Sequence, residues 1–188
     1  MTLVVLVRHA PTTWSGKRYC GRADPPLSAT GRLVAADLGV RLAPTLPADT
    51  RIVTSPSRRA KATAKAIARR LTGATIEVDD DWQEVDVGLA EGRTFDEVTQ
   101  RFSALAEALV NGGAPVDWPG GETASDLDRR IAAAWSRIAA SGRPTVVVSH
   151  AGSIRVAEAL ATGRRPADIA FLGTGEWSCH DVGVGADG

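Results

Sequence analysis

Leu3-Val-Val-Leu-Val-Arg8-His9-Ala10 is an apolar run of strand length that stops abruptly at an arginine and a histidine. In an open α/β sheet the chain emerges into the ligand crevice at the carboxyl end of a strand. A fixed cation and an imidazole placed there point to chemistry on an anion. A second run, Thr145-Val-Val-Val-Ser149, ends the same way in His150. Parallel strands end at one sheet edge, so the two rings are expected to meet. The third histidine, His180, lies beside the terminal strand and is read as structural.

Strand-like and helix-like segments alternate outward from this stretch, which predicts an α/β fold with a largely parallel sheet. A polar loop from Pro11 to Pro26 leads to a helix opening at Leu27-Ser28 and running to about Leu42. Arg51–Thr54 is a second strand, followed by Ser55 as N-cap and Pro56 at the first helical position. Thr75–Val78 is a third strand. Thr94-Phe-Asp-Glu97 is a capping-box pattern. Phe95, Val98, Phe102, Leu105 and Leu109 then repeat at helical spacing and predict one amphipathic helix. A loop with Pro115, Pro119, Gly120 and Gly121 precedes a helix bearing Leu127, Ile131, Ala134 and Ile138. His150-Ala-Gly-Ser153 opens another helix, Glu176–Val182 is a last strand, and the Gly-rich end after Gly183 is expected to fray. No linker or repeat divides residues 1–188, which read as a single domain.

Lys plus Arg and Asp plus Glu both number 22, so no global field points to nucleic acid. No apolar stretch approaches the roughly 20 residues that span a bilayer. The first strand begins too close to Met1 for a signal peptide, and Cys20 and Cys179 have no metal spacing. The expectation is a cytoplasmic protein with reduced thiols and no membrane partner; a homodimer is left open.

Arginines accompany the histidines. Arg8 precedes His9, and Arg58 and Arg59 fall in the first turn of the helix after the second strand, where one should point inward. A planar guanidinium suits phosphate, and helix N-termini favour anions. Phosphoryl transfer needs cationic donors, an in-line nucleophile and a proton donor for the leaving oxygen. A neutral imidazole serves as nucleophile. Glu84 and Asp86, flanked by Trp82, Val85 and Val87, are candidates for the acid, whereas Asp79–Asp81 reads as a solvated run. Trp14, Tyr19, Trp82 and Trp118 could wall a pocket or pack in the core.

Together these residues resemble the histidine phosphatase superfamily, also called phosphoglycerate mutase-like. Leu6-Val7-Arg8-His9-Ala10 resembles its Arg-His-Gly opening motif. Trp14-Ser15, Arg18–Gly21 and Asp24–Gly31 resemble the loop and helix start that follow. Thr54–Ala60 with Thr63-Ala64 resembles the second block and selects Arg59 over Arg58. Glu84–Gly88 with Glu91-Gly92 resembles the acid block and selects Glu84. Pro119–Thr123 with Arg129, and Ser149–Arg155, resemble the last two. The resemblance implies a three-layer α/β/α sandwich, a covalent phosphohistidine at His9, and Arg8, Arg59 and His150 holding the phosphoryl group. It implies Glu84 as proton donor, with no metal and no cofactor. On the same resemblance Ser15, Arg18, Cys20, Gly21, Ala151 and Gly152 fall at substrate-binding positions. Ala10 stands where the motif has Gly and is expected to tighten the turn. Ser15 stands where it has Asn, which removes a donor.

The leading expectation is a phosphomonoester hydrolase acting on a small phosphorylated metabolite, of the alpha-ribazole phosphate or sugar phosphate type. The alternatives are a cofactor-dependent phosphoglycerate mutase and a catalytically silent phospholigand-binding module. Mutases of the family carry a longer insertion with a basic pair, whereas residues 93–118 contain only Arg93 and Arg101 as bases. A metallohydrolase finds no HxH, HxxxH or HExxH spacing to support it.

Overall fold

The computed structural model describes residues 1–110 and 116–183; Pro115 and the chain beyond Gly183 lie outside the described residues. Among the described residues five strands form one sheet: β1 (Thr2–Arg8), β2 (Arg51–Thr54), β3 (Ile76–Val78), β4 (Thr145–Ser149) and β5 (Trp177–Val182), in the order β3-β2-β4-β1-β5. β1, β2, β3 and β4 run parallel, and β5 closes the edge antiparallel to β1. The result is a three-layer α/β/α sandwich with a mostly parallel sheet.

The period-2 alternation of β1 divides the core between the layers. Val4 and Leu6 point to one face with Val147, where they meet Ile131, Ala134 and Ile138 of α5 (Ala124–Ala140) and Ile154 and Ala157 of α6 (Ala151–Thr162). Val5 and Val7 point to the other with Val146 and Val148. There they meet Leu38 and Leu42 of α1 (Ala29–Leu42) and Ala60, Ala64 and Ile67 of α2 (Arg58–Ala68). Each fully buried aliphatic side chain contributes about 1.5–3 kcal/mol, so the central strands are fixed from both sides.

Helix starts follow local chemistry. The Ser28 hydroxyl accepts from Gly31 N, Thr123 from Asp126 N, and Thr94 with Glu97 forms a complete capping box. Two expectations are corrected here. The N-cap of α2 is Ser57, whose hydroxyl accepts from Ala60 N, so the helix starts two residues after the predicted Pro56 position. The predicted single helix from Phe95 is two, α3 (Phe95–Arg101) and α4 (Ser103–Val110). Phe102 leaves helical geometry at φ −138°, ψ 66° yet stays packed with Val98, Leu105 and Leu109. The apolar period survives the break because the cluster, not the backbone, sets it.

Candidate active site

β1 and β4 are neighbours with Arg8 opposite Ser149, so His9 and His150 leave the sheet side by side. Their ring centroids are 5.1 Å apart in an edge arrangement. His9 Nδ1 lies 2.8 Å from the Ala10 carbonyl, a contact in which the ring nitrogen must donate. That places the proton on Nδ1 and leaves the Nε2 lone pair for Arg59, whose Nε donates to it at 3.3 Å. Burial first, then the Arg59 and Arg8 charges, push the His9 pKa down to about 3 against the raising effect of the Ala10 bond. The ring is therefore neutral at physiological pH.

Arg59 is 1% exposed. Its Nη1 and Nη2 donate to the carbonyls of Ala23 (2.6 Å) and Gly21 (2.9 Å). Those carbonyls are in turn positioned by Glu91, whose carboxylate accepts from the amides of Gly21, Arg22 and Ala23. Gly21 is obligatory here, because a Cβ would stand 2.4 Å from the Val85 carbonyl oxygen. Neither the Glu91 brace nor its consequence for Arg59 was read from the sequence; the contact spans about seventy residues and leaves no local pattern.

Glu84 sits in the loop after β3, held from both sides. Trp82 is fully buried, its carbonyl accepts from Ser149 Oγ at 2.7 Å, and the Gln83 carbonyl accepts from Ser153 Oγ. Arg130 donates to the Asp81 and Gln83 carbonyls and forms a two-pronged pair with Glu122, at 2.9 and 2.8 Å. Glu122 also accepts from Asp86 N. The expectation that Arg129 belongs to this block is corrected: Arg129 is exposed and pairs with Asp126, and its neighbour Arg130 makes the clamp. Asp86 turns to the Gly88 amide. Asp79 and Asp81 are not freely solvated but bind Arg137.

The Glu84 carboxylate accepts from the amides of Val85, Gly152 and Ser153. A Cβ at Gly152 would come within 2.7 Å of Glu84 Oε1, so glycine keeps this approach open. The amides that open α6 are thus engaged by a carboxylate of the protein itself.

A cavity of about 590 Å³ opens over these groups, with Arg8, His9 and Glu84 at its polar floor. Ser15, Arg18, Cys20, Ala151 and Gly152 line it too. Arg59, His150 and Gly21 instead line a smaller cavity of about 120 Å³, and Glu84 borders both. Arg8 Nη1 donates to the Leu172 carbonyl, while Arg8 Nε is buried without a hydrogen-bond partner among the described residues. His150 Nε2 meets Ser55 Oγ at 2.7 Å, and its Nδ1 is likewise unpartnered. Burial, then Arg59, His9 and Arg8, keep this second ring well below its ordinary pKa. A buried polar atom without a partner costs about 1–3 kcal/mol; an anion oxygen would recover that cost at Arg8. Cys20 donates weakly to Ala23 O, and burial pushes its thiol up to about 11.

Ser15 Oγ accepts from Thr12 N at 2.8 Å. The methyl of Ala10 is fully buried with Leu27 and Ala35, and its amide donates to Thr63 Oγ1. The expected tightening therefore brings no strained backbone: among the described residues no non-glycine has positive φ. Trp14, Tyr19 and Trp118 wall the cavity, whereas Trp82 packs in the core. His180 lies in β5 beside Ser178 and Glu158, as a structural histidine would. Among the described residues no group of His, Cys, Asp and Glu side chains could hold a metal ion, and no helix is long and apolar enough to cross a membrane.

Residues 4–184 match the family profile of the Histidine phosphatase superfamily (branch 1). A probable phosphoglycerate mutase GpmB of Salmonella paratyphi C is 36% identical over 154 residues, covering 80% of this chain and 70% of that protein. A mycobacterial glucosyl-3-phosphoglycerate phosphatase, solved in complex with VO3, superposes with a TM-score of 0.84 at 27% identity. The match covers 95% of this chain and 90% of that one. A structure described as mycobacterial hydrolase 2 gives the same TM-score at 26% identity, over 99% of this chain and 86% of that one. On this match, and on the sheet edge described above, the chain belongs to the histidine phosphatase superfamily, branch 1.

Proposed function

We propose that the protein is a phosphomonoester hydrolase working through a phosphohistidine on His9 Nε2. The observation that carries this is the Nδ1 bond to the Ala10 carbonyl, which leaves an unprotonated Nε2 beside a buried guanidinium. In the first step Nε2 attacks phosphorus, the N–P bond forms and the ester P–O bond breaks. The leaving oxygen takes a proton from Glu84. In the second step water attacks phosphorus, Glu84 takes the water proton, and the N–P bond breaks to release phosphate and neutral His9. Arg8, Arg59 and His150 hold the phosphoryl oxygens, whose charge spreads in the transition state. Ser15, Arg18, Cys20, Gly21, Ala151 and Gly152 are proposed to contact the substrate. The alcohol portion belongs to a small metabolite, of the alpha-ribazole phosphate or sugar phosphate type.

The name of the Salmonella relative favours a second reading, phosphoglycerate mutase. Against it, Arg93 donates to the Leu89 carbonyl and Arg101 stacks on Phe102, and neither lines the cavity. Phosphate release should be measured across a panel of phosphomonoesters together with isomerisation of 3-phosphoglycerate, with His9→Ala as control. The hydrolase reading expects release that His9→Ala lowers by at least about 10³-fold, without isomerisation. Isomerisation without net release would establish the mutase, and binding without turnover the silent module.

A further inference from the structure

The cavity wall carries a charge that the proposed chemistry does not use. Asp128 lies on α5 four residues after Ala124 and one after Leu127, and all three line the cavity. The spacing of four puts Asp128 and Ala124 on one helix face. Neighbouring acids are all engaged: Asp117 caps Ala124, Asp126 binds Thr123 and Arg129, and Glu122 binds Arg130. Asp128 is half-buried and has no hydrogen bond or ion pair among the described residues. Burial pushes its carboxyl up, and no cation contributes to the shift.

The cations of the same wall also hold carbonyls of the protein, and neither bonds Asp128. Arg18 donates to the Gly92 carbonyl at 2.6 Å. Arg155 donates to the Ile169 and Ala167 carbonyls and lies 4.4 Å over the Phe171 ring. Trp14, Tyr19 and Trp118 add three further aromatic rings to the lining. A carboxylate taken partly out of water is costly until a complementary charge arrives. Aromatic faces attract cations for a separate electrostatic reason. Both features call for the same sign of charge in the ligand.

Resting on the hydrolase reading, we propose that Asp128 selects phosphomonoesters whose alcohol part carries a positively charged nitrogen, an ammonium or alkylammonium seated against its carboxylate and the aromatic wall. The phosphoryl group of such a zwitterion sits on Arg8 at the floor, and its cation sits at the wall. A substrate that presents a carboxylate to Asp128 is disfavoured.

The test uses a series of ω-aminoalkyl phosphates, each paired with the n-alkyl phosphate of equal heavy-atom length. The readout is the ratio of kcat/KM within each pair, for the wild type, Asp128→Asn and Asp128→Ser. The ratio should reach about tenfold or more in favour of the amine at the best length and fall towards one in both variants. A ratio near one at every length in the wild type would overturn the proposal, as would a ratio that both variants leave unchanged. Because each ratio is taken within one protein, loss of folded enzyme cancels. Should the wild type release no phosphate from any ester, the hydrolase reading fails. The same pairs titrated by calorimetry then decide the role of Asp128, with the Kd ratio read by the same criterion.

Discussion

Arg59, beside His9 in the smaller cavity, and Arg18, on the wall of the larger one, are both arginines of the site, yet they are held very differently. Arg59 is buried, bonded to two carbonyls and to His9, and those carbonyls are braced by three amide bonds to Glu91. Arg18 is exposed and holds the Gly92 carbonyl. The same contrast runs through the whole cavity. Floor groups leave the ends of β1 and β4 or, as with Glu84, sit in a loop tied to β4 by the Ser149 bond to the Trp82 carbonyl and to α5 by Arg130. Wall groups stand on the loop from Trp14 to Cys20, on the end of α4, at Val116 and Trp118 and on the start of α5, and pack on the small cluster of Val85, Val87, Val98 and Leu105. Chemistry and selectivity can therefore reside in different parts of the site. Groups that must sit within a fraction of an ångström of phosphorus need redundant support, whereas a wall can vary without moving them.

Glu84, the proposed proton donor, is the floor residue whose loss should cost most. Glu84→Gln should slow turnover of alkyl phosphates by about 10²–10⁴-fold. With p-nitrophenyl phosphate, whose leaving group needs no proton, rapid mixing should show a burst of nitrophenolate followed by slow turnover. Equal slowing of both ester types with no burst would mean that Glu84 is not the proton donor to the leaving oxygen.

The floor should also carry a pH signature that the wall lacks. An unfolded histidine titrates near 6.5, whereas His9 is held down to about 3 and His150 is lowered in the same direction. Between those values the unfolded chain binds more protons than the folded one. For His9, stability is therefore fully present above roughly pH 6.5 and is lost as pH falls toward 3, by about 1.4 kcal/mol per pH unit, and His150 contributes with the same sign. Urea unfolding at several pH values should show this slope, and His9→Gln should reduce it by one proton. An unchanged slope in that variant would mean that His9 is not held neutral.

A smaller effect tests the brace beneath Arg59. Glu91→Ala should cost about 1–3 kcal/mol in chemical unfolding and lower kcat more than it raises KM, with Glu91→Gln recovering part of both. A variant as stable and active as wild type would show that Arg59 needs no such support. The smallest effect belongs to the wall. Trp118→Ala should raise KM by about three- to tenfold with little change in kcat, the mark of uniform binding. A loss of kcat comparable to that of Glu84→Gln would erase the distinction between floor and wall.

The floor was largely legible because its signal is local: an apolar strand that ends in Arg8-His9 or in His150 declares its own position. The inward member of Arg58 and Arg59 needed the motif, since adjacent helical arginines look alike. The same ambiguity misassigned Arg129, although a phase signal was there. Arg130 is three residues after Leu127 and four before Ala134, on the buried stripe of α5, and Arg129 is not. The Glu91 brace was illegible, because its partners lie far away in sequence and are backbone amides. The break at Phe102 was hidden for the opposite reason: the apolar spacing continued while the backbone turned. Asp128 carried no motif; its place on the cavity face and its lack of a partner among the described residues set it apart from the acids around it.

The proposed chemistry stands on a covalent bond between His9 Nε2 and phosphorus. The most direct measurement is a rapid acid-free quench of the enzyme turning over a phosphate-labelled ester, followed by mapping of the label. A base-stable, acid-labile phosphate should appear on His9, form and decay at rates consistent with kcat, and be absent from His9→Ala. Full turnover with no label on His9, or with an acid-stable phosphate on another residue, would contradict it.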